Sequence, residues 1–430
     1  MPRKDDVIIL GAGMAGMAAA LGLGRGYRVL ERRDVPGGLC DTIEEGGFRF
    51  DRTGHLLHFK NPSTREMVLD LLDGRAFEIA RRAHIWSEGV YTPYPYQANT
   101  YGLPRQTVAE CLKGFIEARV AARGVKSRPR TFEEFILRNF GDGIARRFMI
   151  PYNSKLWGVH PREISSDWCS RFVPVPGVEE VVAGAVGLTQ ERMGYNASFL
   201  YPEDGIGALT AAMARRVAPI DFRTLPRAID VKKRRVLVGG DFLPYRALVS
   251  TLPLPRLVSL LVDPPVAVAR AASLMRCTSL RYLDVALDRP SGADHHWAYV
   301  PEPRLPFYRV GCYSNFSERM APRRKANLYV ELASRAPIRL ASLVPKVAAG
   351  LAEMGIIRSA SDIAFARPRR IEFAYVVYDR HHGAAVKTVL SWLERNRILS
   401  IGRYGRWEYA AMEDALDQGL DAARKVSRLA

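Results

Sequence analysis

Three glycines near the beginning of the chain have the spacing that binding of a dinucleotide phosphate requires. Gly11, Gly13 and Gly16 form a G-x-G-x-x-G pattern directly after an apolar run over residues 7–10. The first glycine permits a tight turn, the second lets the backbone approach a pyrophosphate, and the third lets a helix pack closely on the preceding strand. Because a helix N-terminus carries partial positive charge, this arrangement predicts a site for the phosphates of a dinucleotide.

An acidic residue follows at the distance expected for a ribose ligand. Glu31 stands twenty residues after Gly11, directly after a second apolar segment over residues 27–30. Its carboxylate can accept hydrogen bonds from ribose hydroxyls. The glycine pattern alone is weak evidence, but strand, turn, helix, strand and acid in this order predict a dinucleotide site that also includes Ala15 and Arg32.

The segment after Glu31 favours FAD over a nicotinamide dinucleotide. Pro36-Gly37-Gly38-Leu39 adds a double glycine that nicotinamide binding alone does not require. Residues without a side chain let the backbone lie against the cofactor beyond its pyrophosphate. We therefore predict FAD as the cofactor, with Gly37, Gly38 and Leu39 in contact with it.

The elements that must position these residues predict an α/β fold. It consists of a discontinuous Rossmann-like FAD-binding domain (residues 1–85, 200–265 and 395–430), a mainly helical insertion (86–199) and a substrate-binding region with an antiparallel sheet (266–394). Apolar patterning predicts strands at 7–10, 27–30, 46–50, 234–238, 247–250, 280–287, 307–313, 327–332 and 397–401. It predicts helices at 15–23, 65–72, 108–119, 131–139 and 412–426, and a turn at Gly402-Arg403.

Composition indicates a globular protein of several domains. The 430 residues are 48% hydrophobic and 25% charged, and no apolar run reaches the length of a membrane span. Five scattered cysteines show neither metal-site nor disulfide spacing, so we expect a reducing, cytoplasmic setting and no bound metal. Acidic residues and glycines interrupt the N-terminal apolar stretch, and we therefore expect no targeting segment.

The chain carries an excess of positive charge. Its 63 Lys plus Arg against 45 Asp plus Glu give a net charge of +18, which favours anionic partners. The basic residues are dispersed and accompany no nucleic-acid module, so we do not expect nucleic acid as a partner. A phosphate-bearing small-molecule substrate, peripheral contact with an anionic membrane and ordinary solvated faces stay open, and the oligomeric state is undetermined by sequence.

Further motifs extend the pattern to the end of the chain. Gly54-His55 lies in the segment GHLLHF, and Arg403 precedes a predicted helix that begins at Met412. With these motifs the chain resembles the flavin superfamily of amine oxidases, protoporphyrinogen oxidases and UDP-galactopyranose mutases, and most closely the mutases. The resemblance implies that His55 lies beside the isoalloxazine ring, that Arg403 lies near the flavin, and that the Met412 helix points at the cofactor.

The same resemblance supplies candidate residues for the substrate. Trp157, in the segment YNSKLWG, is similar to a mutase tryptophan near the nucleobase and sugar. Arg309, Tyr375 and Tyr409 resemble residues that hold the substrate diphosphate, and a planar guanidinium suits phosphate oxygens. With His55, these three are the expected catalytic residues.

One position departs from the mutase pattern. Pro176 stands where the mutases carry a second phosphate-binding arginine, and Arg171 is the nearest alternative. Loss of a charge-assisted phosphate contact costs on the order of 1.5 to 3 kcal/mol. The substrate is therefore bound differently from a mutase substrate, or is not a UDP-sugar.

Three functions follow from these observations. The first is a sugar mutase, in which reduced FAD attacks the anomeric carbon of a nucleotide-linked sugar through N5 and isomerises pyranose and furanose without net redox. The second is an FAD-dependent oxidase, dehydrogenase or desaturase, and the third is a non-catalytic flavin-binding partner protein. A shared fold does not choose among them.

Overall fold

The computed structural model describes residues 7–188, 197–217, 219–333 and 339–429. Within them the strands are β1 Val7–Leu10, β2 Tyr27–Leu30, β3 Thr42–Glu45, β4 Phe48–Asp51, β5 Ala76–Ala80, β6 Ala83–Ser87, β7 Val90–Pro93, β8 Ser198–Pro202, β9 Ile220–Asp221, β10 Pro226–Asp230, β11 Arg235–Val238, β12 Asp241–Pro244, β13 Ala247–Ser250, β14 Cys277–Leu287, β15 Trp297–Tyr299, β16 Phe307–Cys312, β17 Ala326–Leu332, β18 Ile363–Val376 and β19 Ile398–Ser400. The helices are α1 Met14–Leu23, α2 Pro62–Leu71, α3 Arg105–Ala121, α4 Phe132–Ile144, α5 Ile150–Trp157, α6 Cys169–Phe172, α7 Val178–Ala185, α8 Gly207–Arg216, α9 Leu254–Ser259, α10 Val266–Ser273, α11 Leu340–Glu353, α12 His382–Arg395, α13 Gly402–Gly405 and α14 Met412–Ser427.

A five-stranded parallel sheet forms the first layer, in the order β19-β13-β1-β2-β9. Helices cover both of its faces. Val7 and Ile9 of β1 pack into a core shared with α1 and α14, whereas Ile8 and Leu10 pack into a core shared with α9, α10 and α12. A strand buried on both faces has no polar side, which explains the continuous apolar run at residues 7–10.

This sheet joins distant parts of the chain. β1 pairs with β13, which pairs in turn with β19. The closing helix α14 lies against α1, and a Cβ on Gly419 would come within 2.4 Å of the Ala15 carbonyl oxygen. The predicted α/β fold with a discontinuous nucleotide domain is confirmed, and the predicted turn at Gly402-Arg403 is the start of the single-turn helix α13.

A seven-stranded sheet forms the second layer, in the order β18-β14-β17-β16-β15-β6-β7. Its neighbouring strands are antiparallel except for β15 and β6, which are parallel. The boundary expected after residue 85 therefore falls inside β6. The hairpin of β6 and β7 is short, and a few residues of alternating polarity do not reveal which sheet a strand will join.

Helices α3 to α7 cover one side of this sheet. Their aromatic and aliphatic residues share a core with Leu280, Tyr282 and Tyr308 of the sheet. α3 and α4 pack so closely that their backbones are in contact. A Cβ on Gly141 would lie only 2.0 Å from the Gly114 carbonyl oxygen. Across the described ranges, no helix is long and apolar enough to cross a membrane.

Candidate functional site

The glycine turn after β1 leaves space beside only one of its glycines. A Cβ on Gly11 would lie 2.2 Å from Thr251 Oγ1, and one on Gly16 would lie 2.0 Å from the Gly11 carbonyl oxygen. A Cβ on Gly13, by contrast, would meet nothing closer than Gly38 Cα at 4.0 Å. Gly11 and Gly16 are therefore required by the fold itself, whereas Gly13 borders room for a ligand.

Glu31 is held at the carboxyl end of β2 by two backbone amides. Its side chain accepts hydrogen bonds from Ala12 N at 2.8 Å and from Arg33 N at 2.9 Å, and the residue is only 5% exposed. Ligands of open parallel sheets bind at this end of the strands. The carboxylate oxygens keep further lone pairs that could accept hydrogen bonds from ribose hydroxyls, and this role of Glu31 stays a prediction.

The double glycine folds back over the start of α1. Gly37 N donates to the Ala12 carbonyl at 2.8 Å, and Gly37 and Gly38 adopt φ values of 106° and 62° that favour glycine. Arg33 donates to the Gly38 carbonyl at 2.8 Å. Arg32 is exposed, so Arg33, which sequence reasoning did not select, is the arginine that orders this loop.

Three further residues that the sequence predicts to contact the cofactor lie on or near this loop. Leu39 packs on the core beneath the helical layer, and Met412 begins α14 with its Sδ 3.6 Å from Cys40 Sγ. Ala15 lies in the first turn of α1 and is buried. The start of α14 therefore lies beside the segment that follows the double glycine.

His55 presents an unsatisfied nitrogen. Its Nδ1 atom is buried and has no hydrogen-bond partner in the described part of the chain. Burial, followed by the positive charges of Arg403 and Arg309, lowers the pKa of His55 to about 4. The ring is therefore neutral at neutral pH, and a buried nitrogen without a partner suits a position beside a bound group.

Arg403 joins the two tyrosines that sequence reasoning selected. Its guanidinium carbon lies 4.5 Å from the Tyr409 ring centroid and 5.7 Å from that of Tyr375. Its nitrogens donate to the carbonyls of Ala410 at 3.1 Å and Ala374 at 3.3 Å. These contacts tie the end of β18 to the segment before α14.

Trp157 lies against the same group of aromatic residues. Its ring is edge-on to Tyr375 at 5.6 Å and tilted against Trp168 at 5.3 Å, and the residue is 2% exposed. Tyr409 makes an edge contact with Phe172 at 4.8 Å. Because Trp157 is almost fully buried, it forms part of the wall rather than an open stacking surface.

Arg309 is held by a carboxylate that sequence reasoning missed. Its Nε lies 3.0 Å from Glu331 Oε2, and its Nη2 bonds the other carboxylate oxygen. The two residues face each other across β16 and β17, and the Glu331 side chain is fully buried. A single acid inside the apolar strand ANLYVEL was the sequence signal for this pair.

Neighbouring residues keep Arg309 positively charged. Although burial acts to lower the pKa of Arg309, the Glu331 carboxylate and nearby tyrosines raise it well above the ordinary value. Glu331 engages Nε and Nη2, so the guanidinium keeps further N–H donors on Nη1. His55, Arg309, Tyr375, Tyr409 and Arg403 thus lie in one electrostatically coupled group.

Pro176 lies in the connection between α6 and α7 and is buried. The side chain of Arg171 lies outside the described part of the structure. In the residues that are described, no group of three or more His, Cys, Asp or Glu side chains is arranged to hold a metal ion.

These features fit FAD. Gly13 borders open space at the first βα turn, Glu31 is anchored beside that turn, and the unsatisfied nitrogen of His55 belongs to a ring that senses the charges of Arg403 and Arg309. Each offers what a pyrophosphate, a ribose and a flavin ring require.

Comparisons with known proteins agree with this fit. Residues 14–338 match the family described as flavin-containing amine oxidoreductase. The crystal structure of reduced UDP-galactopyranose mutase superposes with a TM-score of 0.92 at 26% identity, over 99% of this chain and 96% of that chain. Putrescine oxidase bound to putrescine shares the fold, with a TM-score of 0.69 at 16% identity over 99% of both chains.

Curated relatives are similar over shorter segments. Phytoene dehydrogenase of Streptomyces griseus is 56% identical over 50 residues, which are 11% of this chain and 10% of that protein. Protoporphyrinogen oxidase 1 of Arabidopsis thaliana chloroplasts is 28% identical over 206 residues, which are 44% of this chain and 37% of that protein. The chain thus covers well under two thirds of the length of either relative.

Proposed function

The chain belongs to the flavin-containing amine oxidoreductase family, and we propose that it is an FAD-dependent mutase that isomerises a nucleotide-linked sugar between pyranose and furanose forms. Its similarity to UDP-galactopyranose mutase along 99% of the chain is the observation that carries this proposal. The arrangement of Arg309, Tyr375 and Tyr409 beside Arg403 supports it, because such a group suits an anionic diphosphate.

FAD is the cofactor of this family, and the chain's residues fit it. The turn at Gly13 would accept the pyrophosphate, Glu31 the ribose, and His55 and Arg403 the flavin. When bound and reduced, FAD supplies a nucleophilic N5 atom for the anomeric carbon of a sugar. Arg403 would supply positive charge near the flavin, which would stabilise its reduced, anionic form.

The protein's own part in such a reaction is positioning and charge stabilisation. Arg309 would donate to the diphosphate oxygens as the bond to the sugar breaks, while Glu331 keeps the guanidinium in place. Tyr375 and Tyr409 would hold the departed diphosphate close enough for its return. The buried ring of Trp157 closes the site against water.

A direct assay tests the proposal. Dithionite-reduced holoenzyme is incubated with UDP-galactopyranose and a panel of other nucleotide sugars, and the products are separated by chromatography. We expect pyranose–furanose interconversion without net flavin oxidation. Arg309→Lys should lower kcat/KM by about tenfold or more, because charge-assisted contacts to phosphate are lost. The exposed Arg370→Lys control should change it less than about twofold. No interconversion with any sugar would overturn the proposal.

A second function is favoured by the sequence relatives, which are dehydrogenases, desaturases and oxidases. An FAD-dependent oxidoreductase would take a hydride from its substrate. Anaerobic mixing of the oxidised enzyme with amines, alcohols and polyene precursors would then bleach the flavin absorbance. The mutase, in contrast, requires prior reduction and shows no net bleaching.

A further inference from the structure

A separate cleft lies on the outer side of α5, and we call it the outer cleft. It has a volume of about 660 Å³ and lies between α5, the loop of residues 300–306, the end of β17 and the first turns of α11. Its wall is rich in rigid apolar groups, among them Pro151, Pro301, Pro303, Leu305, Pro306 and Leu343. The volume lies within the range of sites for small organic ligands.

The charged residues of the outer cleft have one sign. Lys155, Arg339 and Lys346 line it, and the described lining contains no acidic residue. Lys346 and Arg339 are exposed, and neither belongs to an ion pair within the described ranges. These two exposed cations beside an apolar wall create a positive potential that favours a ligand with an anionic group and an apolar body.

Lys155 lies in the wall of the outer cleft and offers no free hydrogen bond to a ligand. Its Nζ donates to the carbonyls of Val300 at 3.2 Å, Glu302 at 2.6 Å and Phe307 at 2.8 Å, which engages all three N–H donors of an ammonium. Burial lowers the pKa of Lys155 to about 7, so the group is only partly charged at neutral pH. Direct contacts to an anion, and most of the positive potential, would therefore come from Lys346 and Arg339.

A second, small cavity lies beside the outer cleft. It has a volume of about 10 Å³, shares Lys155, Leu332 and Ala333 with the outer cleft, and is also lined by Tyr375. Thr278 and Tyr308 line this small cavity as well. Their hydroxyl oxygens are buried without a hydrogen-bond partner in the part of the chain described here, and the residues are 3% and 1% exposed.

The small cavity cannot itself hold a sugar or a base. Its volume of about 10 Å³ holds no more than a single water. A buried hydroxyl without a partner costs on the order of 1 to 3 kcal/mol, a cost that a ligand's polar end or a bridging water would remove. The outer cleft and the proposed diphosphate residue Tyr375 thus line different cavities.

We propose that the outer cleft is a second ligand site, which binds an organic anion with a flat apolar body. The anionic group pairs with Lys346 and Arg339, the body lies on the proline wall, and a polar end or one water meets Thr278 and Tyr308. This site does not depend on the mutase assignment. The residues that would bind the ligand's anionic group and the residues of the apolar wall are not among the proposed diphosphate ligands.

The test measures binding of 1-naphthyl phosphate to the FAD holoenzyme by calorimetry. Inorganic phosphate and uncharged 1-naphthol separate the contributions of charge and ring, and we expect each to bind at least about tenfold more weakly, because each lacks one part of the interaction. Saturating UDP should leave 1-naphthyl phosphate binding unchanged. Undetectable binding, or competitive displacement by UDP, would overturn the proposal.

Charge-reversal variants test whether the ligand binds in the outer cleft. Lys346→Glu combined with Arg339→Glu should weaken 1-naphthyl phosphate binding by about tenfold or more, because two charge-assisted contacts become repulsions. The control Lys387→Glu reverses an exposed lysine of α12 and should leave the affinity unchanged. The unfolding temperature of each variant is measured in parallel. Equal affinities in the double variant and the Lys387→Glu control would contradict the site.

Discussion

At the scale of single residues, Arg309 and Glu331 show how a charge that we propose to bind substrate is held in a largely buried position. Their side chains are 18% and 0% exposed, and they face each other across two strands. A buried ion pair is weak evidence for stability, but removal of one partner leaves a buried charge without compensation. The pair therefore aligns the guanidinium of Arg309, while the N–H groups on Nη1 stay available for an anion.

Neutralising Glu331 should affect both stability and binding. Glu331→Gln should lower the free energy of unfolding by about 3 kcal/mol, the lower end for a broken buried pair, as measured by urea denaturation. Because Glu331 aligns the guanidinium of Arg309, UDP binding measured by calorimetry should weaken as well. Glu372→Gln, at an exposed position of β18, is the control and should leave both quantities nearly unchanged. Unaltered stability in Glu331→Gln would show that the pair does not hold Arg309.

Asp51 should give the protein a distinctive pH dependence. It accepts hydrogen bonds from Thr42 Oγ1 at 2.6 Å and Tyr201 Oη at 2.7 Å, yet burial raises its pKa from 3.8 to about 7. Between pH 3.8 and about pH 7, the Asp51 carboxyl is therefore protonated in the folded protein and ionised in the unfolded chain. The stability contributed by Asp51 is therefore complete below about pH 4 and is lost as pH rises to about 7.

Asp51→Asn tests this linkage because its amide cannot titrate. The difference in unfolding temperature between wild type and variant should shift in favour of the variant as pH rises from 4 to 7, and should be constant above pH 7. Calorimetric unfolding at five pH values measures it. A pH-independent difference would show that Asp51 does not bind a proton in this range.

At the scale of elements, the contact between α1 and α14 holds the two ends of the chain together. Gly22 and Gly419 let the helices approach, because a Cβ on Gly22 would lie 2.7 Å from Ala423 Cβ and one on Gly419 would lie 2.4 Å from the Ala15 carbonyl. α14 begins at Met412, whose side chain contacts Cys40 just after the double glycine Gly37-Gly38. Its position therefore depends on two residues without side chains.

A methyl group at this contact should separate the helices. Gly419→Ala should lower the unfolding free energy by about 1 to 3 kcal/mol, the usual cost of overpacking, and should weaken FAD retention. The matched control is Gly383→Ala in α12, where a Cβ would meet nothing within 4 Å. Gly383→Ala should raise the unfolding free energy by up to about 1 kcal/mol, since alanine is the better helix former. Thermal unfolding and released-flavin fluorescence report both effects, and equal behaviour of the two variants would contradict the contact.

At the scale of the whole molecule, the predicted cofactor residues come from segments that are far apart in sequence. The turn at Gly13 follows β1, whereas Arg403 follows β19 near the end of the chain. The parallel pairing β1–β13–β19 brings these two to the same end of the sheet, and His55, which follows β4, is the third predicted contact. A ligand that contacts all three should stabilise the entire fold by mass action.

Removal of FAD should therefore destabilise the protein. At a free FAD concentration of 100 times its Kd, the holoprotein should be more stable by about 2.7 kcal/mol, seen as a higher unfolding temperature. Gly13→Ala should abolish this increase without altering the apoprotein, because its Cβ meets only Gly38 Cα at 4.0 Å. Gly16→Ala should destabilise the apoprotein as well, through its clash with the Gly11 carbonyl. Identical thermal shifts in wild type and Gly13→Ala would place the cofactor elsewhere.

The sequence by itself determined the nucleotide half of this protein. Strands β1, β2 and β13 lie where apolar runs predicted them, and the glycine turn and Glu31 meet at the carboxyl end of the strands. These features are local: a turn of glycines and a strand buried on both faces leave a pattern within a few consecutive residues. Trp157, Arg309, Tyr375 and Tyr409 came instead from resemblance, and their substrate roles stay predictions.

Only the tertiary structure decided which distant side chains meet. Glu331 is one acid among 45 acidic residues until β16 and β17 pair and place it against Arg309. The hairpin of β6 and β7 joins the second sheet across some two hundred residues of chain, and the outer cleft forms where α5 meets α11. Such contacts depend on packing between segments far apart in sequence, and no periodicity within either segment encodes them.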